Sequence, residues 1–255
     1  MIRSIRSANR LLFWVGGLFF ALTLILLVLI PFNEVTVLGI NSLYKPLKFS
    51  LSIWIYLWTI GLFTGWIHNK RLVHYFSFFT VLTMVYEQLV ITVQAFRGTL
   101  SHFNEDTTFE MILFSLMGVF ISLFTLYNLR LATSLKRQKD KLNPTLKTAL
   151  INSIIVFVIA SFIGGIMGAM NSHQIGGEMG EQGLAFVNWS RKYGDLRIAH
   201  FVGIHALQII PLAAFAMIKM NWKNSKGIVN VLTLSYLAIT IYLMVRALMA
   251  KPLFF

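Results

Sequence analysis

Residues 197–218, RIAHFVGIHALQIIPLAAFAMI, decide how the chain is read. The run is long and apolar enough to cross a bilayer, whose hydrocarbon core takes about 20 residues of helix, yet its first half carries an arginine, two histidines and a glutamine. Six further runs qualify as spans, at roughly 11–31, 49–67, 72–96, 110–132, 148–170 and 227–249. With 57% hydrophobic and only 12% charged residues, the composition lies outside the soluble range. The expectation is an all-α, polytopic membrane protein: a bundle of seven transmembrane helices making one integral membrane domain over residues 1–255.

Charge sets an expected orientation. If the N-terminus is cytoplasmic, the inner segments hold fourteen of the 22 basic residues, from Arg3, Arg6 and Arg10 through Lys136–Lys147 to Lys219, Lys223 and Lys226, and only one acid, Asp140. Cytoplasmic loops are enriched in Lys and Arg, so the N-terminus is expected inside, the C-terminus outside, and the bacterial cytoplasmic membrane is the expected location. The net charge of +13 then marks topology and attraction to anionic lipid; no nucleic-acid motif accompanies it, and none is expected as a partner. The opening MIRSIRSANR and its apolar run exceed the 7–15 residues of a signal-peptide core and lack a small-residue cleavage site, so they are expected to form an uncleaved first helix. The chain has no cysteine, which excludes disulfides, thiolate ligands and iron–sulfur clusters.

Polar side chains within spans are costly and face a bundle interior or a watery cavity. At about 100° per residue, helix three places Thr80, Thr83, Glu87, Gln94, Arg97 and Ser101 within an arc of about 100°. Helix six places Arg197, His200, His205 and Gln208 within about 140°; helix two aligns Lys45, Lys48, Ser52 and Thr59, and helix seven Ser235, Tyr242 and Arg246. In the expected topology Lys45, Lys48, Arg97, Ser101, His102, Asn104, Asp195, Arg197, His200 and Arg246 fall at outer helix ends, with Glu87, Gln94, His205 and Gln208 deeper. The expectation is one cavity open to the outside. Simpler roles compete: the lysines as interface anchors, and Glu87 as the structural partner of Arg97 or Arg246. Residues 171–196 are expected to act as a lid.

The stretches KPLKFS (45–50), QAFRGTLSHFN (94–104), NWSRKYGDLRIAHFVGIHALQ (188–208) and RALMAKP (246–252) resemble the signature stretches of an uncharacterised family of bacterial seven-helix integral membrane proteins. The resemblance spans most of the chain and implies the seven-helix fold, without an activity, substrate or cofactor. Membrane ceramidase-like zinc hydrolases, lipid phosphate phosphatases and retinal proteins each need a histidine spacing, a PSGH-type motif or a lysine in the seventh span that this chain lacks.

Five functions fit the polar residues. The first is an enzyme acting on an anionic lipid or amphiphile at the outer leaflet, with His102, His200 and Glu87 catalytic. Its substrate would meet Arg97, Arg197, Arg246, Lys48, Gln94, Asn104, His205 and Gln208, since arginine forks suit phosphate or carboxylate and imidazole suits proton transfer. The second adds zinc on His102, His200 and Asp195 or Glu105. The third is a transporter or receptor for a small anion, disfavoured by the lack of repeats and broken helices. The fourth is a b-type haem protein, disfavoured because His102 is expected in a loop among charged groups. The fifth is an assembly protein whose stripes only hold helices together. Membrane lipid is an expected partner throughout.

Overall fold

Seven helices among the described residues are long and apolar enough to cross a membrane: Arg10–Phe32, Tyr44–Thr64, Lys70–Phe96, Thr108–Arg137, Pro144–Ala169, Leu196–Lys219 and Ser225–Leu248. The computed structural model describes residues 2–139, 142–177, 180–181 and 183–253. Asp140 and Lys141 of the charge census and Glu178 of the expected lid lie outside them. The second span starts at Tyr44 and ends at Thr64, earlier at both ends than its apolar core suggests, so Lys45 and Lys48 ride on its first turns. The helices are α1 (Ile2–Ala8), α2 (Arg10–Leu29), α3 (Tyr44–Thr64), α4 (Lys70–Phe96), α5 (Thr108–Arg137), α6 (Pro144–Ala169), α7 (Leu196–Ile204), α8 (Ala206–Lys219) and α9 (Ser225–Leu248). Their outward residues are large and apolar: Leu18 is 69% exposed, Leu212 64% and Leu234 66%. Apolar surface on that scale marks a face turned to a partner or a membrane.

Local chemistry sets the helix ends. Asn9 caps α2 by accepting from the Leu12 amide at 3.1 Å, and Asn143 caps α6 through the Thr145 amide at 2.9 Å, with Pro144 at the first helical position, where its missing N–H costs nothing. Among the described residues, four helices close with a Schellman turn, whose paired bonds satisfy the last carbonyls. In α4, Gly98 at φ 69° donates to Ala95 O and Thr99 to Gln94 O; Asn171, Asn221 and Ala250 play the glycine's part after α6, α8 and α9.

The chain divides into two compact units. The first comprises residues 1–65, 70–124 and 179–188. Here α2 packs on α3 where Gly16 lies against the Trp58 indole, whose Nε1 donates to Phe13 O at 3.1 Å. The Asn9 amide nitrogen donates to Thr64 Oγ1 and Ser77 Oγ, so one side chain caps α2 and ties it to α3 and α4. Strands β1 (Thr36–Val37) and β2 (Ile40–Asn41) form an antiparallel hairpin with Thr36 opposite Asn41. Its two turn residues, Leu38 and Gly39, both have positive φ, the tight turn that matches strand twist.

The second unit comprises residues 66–69, 125–178 and 189–255. Its core joins α6, α8 and α9 through Ala149, Val156, Ala206, Ile210, Ala214, Met217 and Val229. The sixth span is interrupted at His205, between α7 and α8, which corrects the expectation of unbroken helices. Pro211 has no amide to offer the helix. The Tyr236 hydroxyl takes the Val202 carbonyl at 2.7 Å, in competition with the amide four residues on. Close helix approach occurs at Gly203, where a Cβ would strike Ala160, and at Gly164 beside the His200 ring, while Gly165 and Gly168 face open space. Strands β3 (Gln174–Ile175) and β4 (Gly194–Asp195) pair antiparallel, tying the base of the glycine-rich loop down.

Candidate functional site: polar clusters within the spans

The sequence-selected residues fall in both units, and each set is built from its own unit. In the first unit α4 ends at Phe96; Arg97 still donates its amide to Val93 O and stays beside Gln94, whereas Ser101, beyond the turn at Gly98, leaves the helical stripe that the 100° arithmetic gave it. The chain turns back through residues 97–107 and starts α5. That turn is self-bonded: Asn104 is 3% exposed, donates to Thr99 Oγ1 and Leu100 O, and accepts from the Asp106 amide. Asn104 therefore shapes the loop.

Arg97 meets Glu110 across this turn, with Nη1 2.8 Å from Glu110 Oε1 and 2.6 Å from Gln94 Oε1; Gln94 Nε2 closes the triangle onto Glu110 Oε2. Glu110 is 4% exposed, and it, not Glu87, is the acid that pairs with Arg97. Its sequence signal is Thr107-x-x-Glu110, a capping-box spacing, and the Glu110 amide does donate to Thr107 Oγ1 at 3.2 Å. The Arg97 side chain stays 46% exposed. Its Nε and Nη2 make no hydrogen bond with any described residue. Arg97, its guanidinium 5.8 Å from the Phe109 ring centroid, lines a groove of about 320 Å³ between α4 and α5 together with Leu89, Val90, Val93, Gln94, Phe109 and Leu113. Apart from Gln94 and Arg97 at one end, the groove is apolar, and its rim residues Leu89, Val93 and Phe109 are exposed.

His102 lies among Phe49, Phe103 and Phe114, ring centroids 5.9–6.1 Å away. Its Nδ1 accepts from the Lys45 ammonium at 3.2 Å and stands 3.2 Å from Ser101 Oγ. Burial first, and then the Lys45 charge, hold the imidazole well below its usual value, against a smaller opposing pull from Ser101. It is thus neutral at pH 7, with Nδ1 already occupied. Lys45 also acts electrostatically on Glu87, which is 5% exposed and whose Oε1 has no hydrogen-bond partner among the described residues. Lys48 donates to Val187 O at 3.2 Å and so fastens the chain at Val187.

In the second unit, Asp195 is 2% exposed and accepts four bonds. Oδ1 takes the Arg197 amide at 3.1 Å and Arg197 Nε at 2.9 Å; Oδ2 takes the Ser190 amide at 2.9 Å and Arg197 Nη2 at 2.7 Å. Burial alone would push this carboxyl up, but the Arg197 fork, its charge and the Ser190 amide together hold it below the usual value. Asp195 caps α7 and binds Arg197 in a bidentate pair, which engages one edge of that guanidinium. Arg246 Nε donates to Pro252 O at 2.7 Å beside the C-terminus of α9, a favourable end for a cation.

His200 Nδ1 lies 2.9 Å from Ala160 O; a carbonyl only accepts, so this nitrogen carries the proton and the ring pins α7 to α6. His205 Nδ1 is 3.2 Å from Gln208 Oε1, and its Nε2 is buried without a partner among the described residues. No group of three or more His, Asp or Glu side chains among the described residues is placed to hold a metal. No family model matches the chain, and no curated protein or solved structure matches it either.

Proposed function

We propose that this multi-pass helical protein binds an anionic lipid or amphiphile of the bacterial cytoplasmic membrane, in the groove between α4 and α5. The observation that carries this reading is the amphipathic groove itself. Its apolar walls follow α4 from Leu89 to Val93, about 6 Å at 1.5 Å per residue, and Arg97, whose Nε and Nη2 carry no hydrogen bond with a described residue, lines the same groove. Glu110 and Gln94 hold the other edge, which fixes the fork for a phosphate or carboxylate. A volume of about 320 Å³ is at the small end for ligand pockets and suits part of an acyl chain. The clustering of basic residues supports a cytoplasmic N-terminus and an external C-terminus, which would put Arg97 at the outer leaflet. Recognition is favoured over turnover, because His102 is absent from the groove lining and its Nδ1 is engaged by Lys45.

Native mass spectrometry in a mild detergent tests this, with equal phosphatidylglycerol and phosphatidylcholine offered. The wild type should retain the anionic lipid preferentially. Arg97→Gln removes a charge-assisted contact of about 1.5–3 kcal/mol, roughly tenfold or more in affinity. Val93→Trp fills the groove while leaving the Arg97–Glu110 pair alone, and should also reduce retention. Equal retention of both lipids, or a preference untouched by both substitutions, would oppose the proposal.

A further inference from the structure

Several helical threonines in this protein satisfy their own hydroxyls. Thr23, Thr59, Thr233 and Thr240 each donate to the carbonyl four residues back at 2.7–3.0 Å, the common arrangement in helices. Thr80 and Thr83 on α4 depart from it. Both are wholly buried, and neither Oγ1 has a hydrogen-bond partner among the described residues. Glu87 Oε1 and Gln88 Oε1 are the other such oxygens on this helix, and of the two Glu87 shares the threonines' face.

Thr80, Thr83 and Glu87 lie in a line. At about 100° per residue, Thr80, Thr83, Glu87 and Gln94 fall within an arc of about 60°, and successive members of the unpartnered set are separated by about 4.5 and 6 Å of helix rise. Those gaps suit bridging water, which is stable in a protein interior only where several polar partners converge. Below Thr80, Ser77 Oγ accepts from Asn9 Nδ2 at 2.7 Å, and the same nitrogen reaches Thr64 Oγ1. Above Glu87 stand Lys45 and its partner His102, then Gln94 with the Arg97–Glu110 pair. From Ser77 to Gln94 the polar groups cover about 26 Å of helix, close to the hydrocarbon thickness of about 30 Å.

We propose that this face of α4 is a proton path, a file of water on the Thr80 and Thr83 hydroxyls with Glu87 as its relay. This activity goes beyond lipid binding and does not rest on it. A proton arriving along the water file forms an O–H bond on the Glu87 carboxylate; the carboxyl then gives one proton to water on its other side. Only O–H bonds form and break, and no electrons move. The charged and titratable groups facing Glu87 are Lys45 from α3, with His102 bonded to it, and its neighbour Tyr86. Intramembrane carboxyls commonly serve as relays of this kind.

The test uses purified full-length protein in phosphatidylcholine–phosphatidylglycerol vesicles containing a pH-sensitive dye, driven by a potassium diffusion potential. Wild-type vesicles should acidify about tenfold or more faster than protein-free vesicles, as expected of a relay that spans the bilayer. Glu87→Gln removes the relay proton and Thr83→Val removes a hydroxyl with little change of shape; each should return the rate close to the protein-free level. Thr59→Val, at a hydroxyl already bonded to Ile55 O, should conduct like wild type and shows that a lost threonine hydroxyl in a span does not itself stop flux. A wild-type rate equal to that of empty vesicles overturns the proposal, and so does flux that survives either Glu87→Gln or Thr83→Val.

Discussion

Asp195→Ala should destabilise the second unit severely, because this carboxylate does three structural jobs at once. It caps α7 through the Arg197 amide, holds the Ser190 amide, and pairs with the Arg197 fork. Losing a helix cap costs about 1 kcal/mol. Removing one partner of a buried ion pair costs about 3–5 kcal/mol, and the lower end applies because the Arg197 side chain is 26% exposed. The total is about 4 kcal/mol, or roughly 8–16 °C in melting temperature for a chain of this size. Asp195→Asn keeps an acceptor for the cap and loses the charge, so it should fall between Ala and wild type. Tryptophan fluorescence in detergent follows the transition, with Trp189 packed 5.6 Å from Phe201 as a local reporter. The folded carboxyl binds its proton less readily than the unfolded one, so the Asp195 contribution is present in full above the ordinary value of 3.8 and is lost as pH falls below it. The gap between wild type and Asp195→Ala should therefore close in acid. A variant melting within about 2 °C of wild type at pH 7, less than 1 kcal/mol on this scale, would refute the structural role and reopen a ligand role for Asp195.

Three further outcomes follow from the geometry. His102 is depressed below its ordinary value of 6.5, so its stabilising effect is present above that pH and lost on acidification; melting temperature should fall between pH 7 and pH 5, with a slope of at most about 1.4 kcal/mol per unit from this group, and His102→Gln should flatten it. Gly203→Ala should lower expression and stability because its Cβ would collide with Ala160 and Thr240, whereas Gly17→Ala, which meets nothing, should be neutral or mildly stabilising. Lys139→Cys should be shielded from an impermeant thiol reagent in intact cells while Asp106→Cys reacts; the reverse labelling would invert the proposed orientation.

The seven spans were legible because length and apolarity alone dictate them, and the polar line on α4 was legible because helical period places Thr80, Thr83 and Glu87 together without any tertiary knowledge. What the stripes could not show was which polar groups already serve one another. Arg97 and Glu110 meet only because residues 97–107 fold the chain back, although Thr107-x-x-Glu110 marked the helix start. Asp195 looked like a ligand because acids near histidines invite that reading, yet an aspartate just before an apolar run is also a cap signal. Pro211 similarly warned of an imperfect sixth span, and the phase relation drawn between His200 and His205 assumed a helix that is interrupted at His205.

Recognition of an anionic lipid by the α4–α5 groove is tested most directly by a high-resolution structure of the protein in phosphatidylglycerol-containing nanodiscs. An acyl chain should lie along Leu89, Val93 and Leu113, with a headgroup oxygen about 2.7–2.9 Å from Arg97 Nε or Nη2, the range of charge-assisted bonds. A groove closed by its own side chains, or a lipid chain there whose headgroup turns away from Arg97, would contradict it.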